Sequence, residues 1–317
     1  MAKYNDRDPI HRAVELRQID RVQELLRSGM KADARDSHGM TPLMVAVRHG
    51  YDELLDLLVN AGAKVNAKDR ASAIGEGRLT ALHHACSMGK YREIKWLLEK
   101  GADPDALTQS GRTPFTYVAD QRELAMLVLE HKADPNGPNK CADPPIVEAA
   151  AQNDLELIRE LLKRGADPNR VGKAGNVALA VTVSIECARE LLRSGADINL
   201  KNGQQETPLL VNLMRGSVEL IRCYIEAGAD VNAKDKDNGT VIMRLTNNPR
   251  IEIAALLIAA GAEVNAMPWP NHSILDYFYG STSHYLINER IDLITFLESK
   301  GAKRAKEYRI QKRTPPS

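Results

Sequence analysis

A chain of 317 residues with 43% apolar but only 4% aromatic residues points to a core of Leu, Ala, Ile and Val shared among many small helices. Lys and Arg (43) nearly cancel Asp and Glu (42), so no global field draws in a polyanion, which argues against general nucleic-acid binding. Cys86, Cys141, Cys187 and Cys223 lie tens of residues apart with no CxxC pair, which excludes a zinc cluster or a disulfide framework and predicts reduced thiols in a cytoplasmic setting.

The N-terminus, MAKYNDRDPI, is polar where a signal peptide needs an apolar stretch. The first helix is predicted to start at Asp8-Pro9-Ile10-His11. An acid or hydroxyl there caps exposed amides, and proline fits the first helical position because its missing N–H has no partner anyway. Gly29 ends the following helix, and Thr41-Pro42-Leu43 starts the next pair. Gly50 turns the chain back, Leu54, Leu55, Leu57 and Leu58 give the return helix one apolar face, and Gly62 closes it. Thr80-Ala81-Leu82-His83 comes eighteen residues after Gly62 where twelve is the rule, placing a six-residue insertion around Ala71 to Glu76. Thr113-Pro114-Phe115 opens the fourth pair, and Pro144-Pro145-Ile146 and Val177-Ala178-Leu179 open the fifth and sixth as degenerate starts. Thr207-Pro208-Leu209, Thr240-Val241-Ile242 and Ser273-Ile274-Leu275 open the last three. Gly89 and Gly216 are expected to turn the chain with positive φ as Gly50 does, with Asn153 tolerating the same geometry. The most apolar stretch, 253–262, has about half the residues needed to span a bilayer and is a buried helix.

Terminating glycines recur at Gly29, Gly62, Gly101, Gly165, Gly195, Gly228, Gly261 and Gly301, with Lys132 in the one gap, and polar Asp-, Asn- and Gly-rich segments follow them. This helix–turn–helix–hairpin unit, with TPLH-like starts and GAD-like ends in register nine times, resembles the ankyrin repeat over roughly residues 5 to 303. The resemblance implies an all-α repeat fold: an ankyrin-repeat solenoid of stacked helix pairs with β-hairpin-like fingers beside an inner face lined by the first helices. Residues 1–303 form that repeat domain, and 304–317 a basic tail.

Four places depart from the pattern. The fourth repeat is two residues short between Thr113 and Leu129 and the sixth three short between Val177 and Leu192, so the helix–helix turn must be rebuilt there. Lys132 stands where glycine would take left-handed backbone, at a cost on the order of 1 kcal/mol or a changed turn. The ninth repeat is six residues long between Ser273 and Leu297, as suits an end that must cover an open core.

No phosphate-binding glycine loop, HExxH, GxSxG or EF-hand loop is present, so no catalytic residue, metal ligand or cofactor is assigned and no enzyme activity is expected. His83 and His84 look most like a metal pair, but His83 closes the TPLH-like motif, where the family's histidine bonds between repeats; His11 takes the same reading. Cys86, Cys187 and Cys223 read as small buried hydrophobes, and Cys141 as a loop thiol.

Because each repeat packs only on its neighbours, one flank stays free of folding duty. The expected function is non-enzymatic protein–protein interaction, as scaffold, inhibitor or effector, through the concave face and fingers of a monomer. The resemblance places partner contacts on fingers and first-helix ends: Ser37, His38, Met40, Arg48 and His49 in repeat two, and Ser87 and Met88 in repeat three. Gln109, Ser110, Arg112, Asp120 and Gln121 follow in repeat four, and Gln204, Glu206, Met214 and Arg215 in repeat seven. The last finger reads Met267-Pro268-Trp269-Pro270-Asn271-His272, and Met267, Trp269 and His272 join the set, with Trp269 as an interface anchor. Trp269, Tyr277, Phe278, Tyr279, Tyr285 and Phe296 crowd this end, where they either seal the core or grip a partner. The 71–76 insertion, ASAIGE, carries no legible chemistry, and the basic tail reads as a solvated end. The alternative function is a sensor of a small nucleotide-like ligand between fingers; in a eukaryotic setting the resemblance also makes Asn66 and Asn232 hydroxylation targets.

Overall fold

A computed structural model of the chain describes residues 8–70, 76–137, 143–246, 249–267, 273–280 and 287–307. Among them, short first helices alternate with second helices nine times. The first helices are Pro9–Glu15, Pro42–His49, Ala81–Ser87, Pro114–Tyr117, Pro145–Ala151, Ala178–Val181, Pro208–Asn212, Val241–Thr246 and Ile274–Gly280. The second helices are Ile19–Arg27, Asp52–Asn60, Tyr91–Glu99, Arg122–Glu130, Leu155–Lys163, Ile185–Arg193, Val218–Glu226, Ile251–Ala259 and Ile287–Ser299. The fingers between pairs are turns, and Lys234 and Thr240 form a single antiparallel bridge among the described residues. Contacts divide the chain into two compact units, Met1–Ala149 with Lys163–Ala166, and Ala150–Leu162 with Asp167–Ser317.

The caps act where the sequence places them. Thr41, Thr80 and Thr207 accept from the backbone N–H of Met44, His83 and Leu210, each at 3.4 Å. Apolar faces then meet inside each unit: Leu43, Leu54, Leu58, Leu82, Ile94 and Leu97 are fully buried in the first, and Leu179, Leu191, Leu209, Leu220 and Leu257 in the second. Each such side chain contributes about 1.5–3 kcal/mol, so within each unit the core is a sum of thin layers between neighbouring helix pairs. Lys132 keeps the left-handed geometry of a terminating glycine, at φ 66°, so strain is tolerated and the turn is unchanged. Asn153 is left-handed at φ 54°, as are Gly50 and Gly89. Gly216 is not. Its backbone stays outside that region, and glycine is required because a Cβ would stand 2.7 Å from the Asn212 carbonyl oxygen.

The two shortened repeats are rebuilt differently. In repeat four the first helix tightens into the 3₁₀ turn Pro114–Tyr117. In repeat six only one turn, Ala178–Val181, remains, so backbone groups that a longer helix would satisfy need outside partners. Asn153 Oδ1 accepts from the Thr182 hydroxyl (2.8 Å) and the amides of Val183 (3.0 Å) and Ser184 (2.9 Å). From repeat seven, Asn212 Nδ2 donates to the carbonyls of Leu179 and Ala180 at 3.2 Å, and the Tyr224 hydroxyl donates to Leu179 at 2.6 Å. Three buried or half-buried side chains thus replace the missing turn.

Candidate interaction surface

The fingers are tied to one another at two fixed positions. Four residues past five of the terminating glycines, an asparagine reaches to the next repeat and bonds it twice. Asn199 Nδ2 donates to the Gly228 carbonyl (3.2 Å) while its Oδ1 accepts from the Asp230 amide (2.8 Å). Asn66 does the same with Gly101 and Asp103, Asn169 with Gly195 and Asp197, Asn232 with Gly261 and Glu263, and Asn265 with Gly301 and Lys303. Asp33 and Asp105 hold this position with carboxylates, which accept the next amide but have no N–H for the carbonyl. Burial, then repulsion from Asp134 and Asp103, outweighs the bond from the Asp134 amide and pushes the Asp105 carboxyl above its usual range. Two residues further on, cations take over: Arg35 donates to the Lys68 carbonyl (2.5 Å), Lys68 to Leu107 (3.0 Å) and Lys201 to Lys234 (3.2 Å).

In the first unit, Asp36 is buried and accepts from the amides of His38 and Met40, both at 2.9 Å, which closes the finger and leaves Ser37 and His38 exposed at its tip. Met40 departs from the expected exposure. It is buried, its carbonyl accepts from His11 Nε2 (2.9 Å), and its sulfur faces Arg48 at 3.5 Å. Arg48 and His49 are exposed at the helix end, with His49 stacked on Tyr51 at 5.3 Å. Ser87 and Met88 are exposed one repeat on, and Met88 shows 48% of its surface. Gln109, Ser110, Arg112, Asp120 and Gln121 are exposed as expected, although Ser110 donates its hydroxyl to Glu76.

In the second unit, Gln204 is exposed at a fingertip and accepts from Lys236 at 3.2 Å. Glu206 is half-buried instead of free: Arg244 bridges it at 2.7 Å to Asp235 at 2.8 Å. Met214 and Arg215 are exposed, and the Arg215 guanidinium donates to the Ala180 carbonyl. Met267 is half-buried. Trp269 and His272 lie outside the described residues, as do Cys141, Tyr285 and most of the tail. Phe278 is buried in the last repeat, whereas Tyr279 is half exposed with Arg304 over its ring at 5.2 Å.

The histidines do structural work. His83 Nδ1 accepts from the Thr80 amide (3.1 Å) and faces its hydroxyl (2.9 Å), while Nε2 meets the Arg112 carbonyl at 3.3 Å. Burial pushes its pKa down to about 4, so it is neutral near pH 7 and donates across the repeat boundary. His84 Nε2 sits 3.1 Å from Asp69. Among the described residues no group of three or more His, Cys, Asp or Glu side chains gathers as for a metal ion, and no helix is long and apolar enough to cross a membrane. Cys86, Cys187 and Cys223 are buried free thiols. A cleft of about 420 Å³ opens between fingers of the second unit, lined by Asn199, Lys201, Asp230, Asn232 and Lys234, among others, with no aromatic ring.

The family model described as ankyrin repeats (3 copies) matches residues 1–69, 82–172 and 177–267. The chain belongs to the ankyrin repeat family. It is 34% identical over 162 residues to the B-cell lymphoma 3 protein homolog of Mus musculus, covering 50% of this chain and 36% of that protein. It is 31% identical over 165 residues to the nuclear factor NF-kappa-B p105 subunit of Gallus gallus, covering 51% and 16%. The chain thus matches about a third or less of these relatives' own length. Among solved structures, the ankyrin repeat domain of Bcl-3, titled a unique member of the IkappaB protein family, superposes with a TM-score of 0.57 at 29% identity, covering 68% of this chain and 97% of that one. The human ASB11 ankyrin repeat domain gives 0.54 at 19% identity, covering 71% and 99%, a likeness of fold alone.

In this ankyrin repeat protein the insertion supplies a residue that sequence reasoning passed over. Glu76 accepts hydroxyls from Thr108 (2.5 Å), Ser110 and Tyr117, all in the following repeat. Burial alone would raise its carboxyl, but the three donors outweigh it and hold the pKa below the usual value. The only sequence signal was an acid at the end of an insertion, with its partners more than thirty residues away.

Proposed function

We propose that the chain is a non-catalytic protein-binding module, acting as a monomer, whose contacts come from first-helix ends and fingertips. The supporting observation is a division of labour along each finger. Asparagines near the base are consumed by the neighbouring repeat, and buried Asp36 by the amides of its own finger. Ser37, His38, Arg48, His49, Ser87, Met88 and Gln109 stand exposed beyond them. A side chain that contributes little to folding is free to be chosen for a partner. Trp269 and His272, outside the described residues, are proposed as further partner contacts from the sequence alone. A reducing intracellular compartment suits the buried free thiols.

The test compares the full chain with a variant carrying Arg48→Ala, His49→Ala, Met88→Ala and Gln109→Ala, and with a separate Trp269→Ala variant, as baits in the native source. Partners captured by wild type and lost by a variant of equal melting temperature support the reading. An unchanged partner set for both variants overturns it. The nucleotide-sensor alternative gains no support from the cleft of the second unit, which has lysines but no ring to stack a base.

A further inference from the structure

We infer that the fingers and helix end of repeats two to four form a cationic face for an acidic, extended peptide segment of the partner, an inference that rests on the protein-binding reading above. Arg35, Arg48, Lys68, Arg70, Arg78 and Arg112 lie on this face of the first unit, and all but the half-buried Lys68 are exposed. None of the six makes an ion pair among the described residues. The intervening segment 71–75 contains no acid.

These repeats also carry acids: Asp103 and Asp120 are exposed, Asp33 and Asp105 hold amides of the next finger, and Asp36, Asp69 and Glu76 are engaged in other ways. Asp36 is buried beneath two backbone amides, Asp69 takes the Leu79 amide (2.8 Å) and His84, and Glu76 takes three hydroxyls while lying near Arg112. Asp36 is buried and Asp69 and Glu76 are half-buried, whereas the five arginines are exposed. Arg35 and Lys68 hold only carbonyl oxygens, which leaves their charge uncancelled. Arg78 sits at φ 66°, left-handed for a non-glycine residue, a strained geometry retained at an exposed position. The corresponding fingers of the second unit differ, because Arg244 is neutralised there by Glu206 and Asp235. The positive excess is local, which is why the net charge of +1 conceals it.

A peptide fits this face better than a nucleic acid does. Exposed Met88 and Leu107, at 48% and 40%, interrupt the cations, and an uninterrupted polyphosphate has nothing to place on them. An acidic chain with occasional apolar residues satisfies both. Complementary charge of this kind sets encounter rate and partner choice.

The test uses the full chain and a fluorescein-labelled peptide that alternates pairs of glutamate or aspartate with leucine. A lysine counterpart, a single-stranded oligonucleotide and phosphatidylserine vesicles serve as comparators. We expect the acidic peptide to bind and to weaken as salt rises. Arg48→Glu with Arg70→Glu and Arg78→Glu should weaken binding at least about tenfold, while Lys201→Glu with Lys236→Glu leaves it within about twofold. If the charge reversals lower the melting temperature, the same three arginines are replaced by glutamine, which should weaken binding about threefold or more. Unchanged affinity in the variants, equal binding of the lysine peptide, or tighter binding of the oligonucleotide or vesicles overturns the inference. Such a failure, with partner loss still seen for the Ala variants of the previous section, removes the acidic partner and leaves the binding module standing.

Discussion

Replacing Asn153 tests whether a single side chain repairs the shortened sixth repeat. Its Oδ1 is the shared acceptor for the Thr182 hydroxyl and the amides of Val183 and Ser184, and its backbone is left-handed. Thr182 is fully buried, so its hydroxyl loses an acceptor with no water to replace it, at about 1–2 kcal/mol. The two amides lie nearer solvent and add about 0.5 kcal/mol each. Asn153→Gly removes the acceptor without backbone strain and should cost about 2–3 kcal/mol. Asn153→Ala adds left-handed strain of about 1 kcal/mol, for about 3–4 kcal/mol. Asn153→Asp keeps an acceptor and should stay within about 0.5 kcal/mol of wild type near neutral pH. Urea midpoints measure the ranking, and hydrogen exchange at Val183 and Ser184 localises it, which matters because repeat arrays need not unfold in one step. A Gly variant as stable as wild type, or an Asp variant as weak as Ala, would refute the acceptor argument.

Asp105→Asn should raise the melting temperature, by about 0.5–1 kcal/mol of added stability, because it supplies the missing N–H for the Lys132 carbonyl and removes a charge beside Asp103 and Asp134. The raised Asp105 carboxyl means the folded state gains relative stability as pH falls through that pKa, so the substitution should flatten this part of the stability profile. His83 behaves oppositely: with its folded pKa pushed down to about 4 from 6.5, its contribution is present above 6.5 and is lost as pH falls towards 4, by roughly 3 kcal/mol. His83→Gln, measured by thermal melts from pH 7 to 4, should show a shallower decline; an identical slope would contradict the assignment. Arg244→Ala leaves Glu206 and Asp235 facing each other without their shared cation and should destabilise by about 1–2 kcal/mol, with Glu206→Gln recovering part of that loss in the double variant.

How much of the surface was legible from residues depended on how far away each side chain's partner lay. Exposure at Ser37, His38, Arg48, His49 and Met88 agrees with their register, counted from the nearest cap and glycine. Met40 and Glu206 sit at positions counted in the same way, yet one is buried and the other is drawn half inside by Arg244, thirty-eight residues later. Gly216 shows the same limit, since a turn glycine and a close-approach glycine leave one letter in the sequence.

The sequence by itself determined that helices would start, turn and stop in a repeating order, because caps, prolines and left-handed glycines act over three or four neighbouring residues. Tertiary structure alone decided which polar groups the fold consumes. Glu76 closes onto Tyr117 across 41 positions, and Tyr224 onto Leu179 across 45. Such pairs exist only once one repeat has settled on the next, so no local signal in the chain announces them.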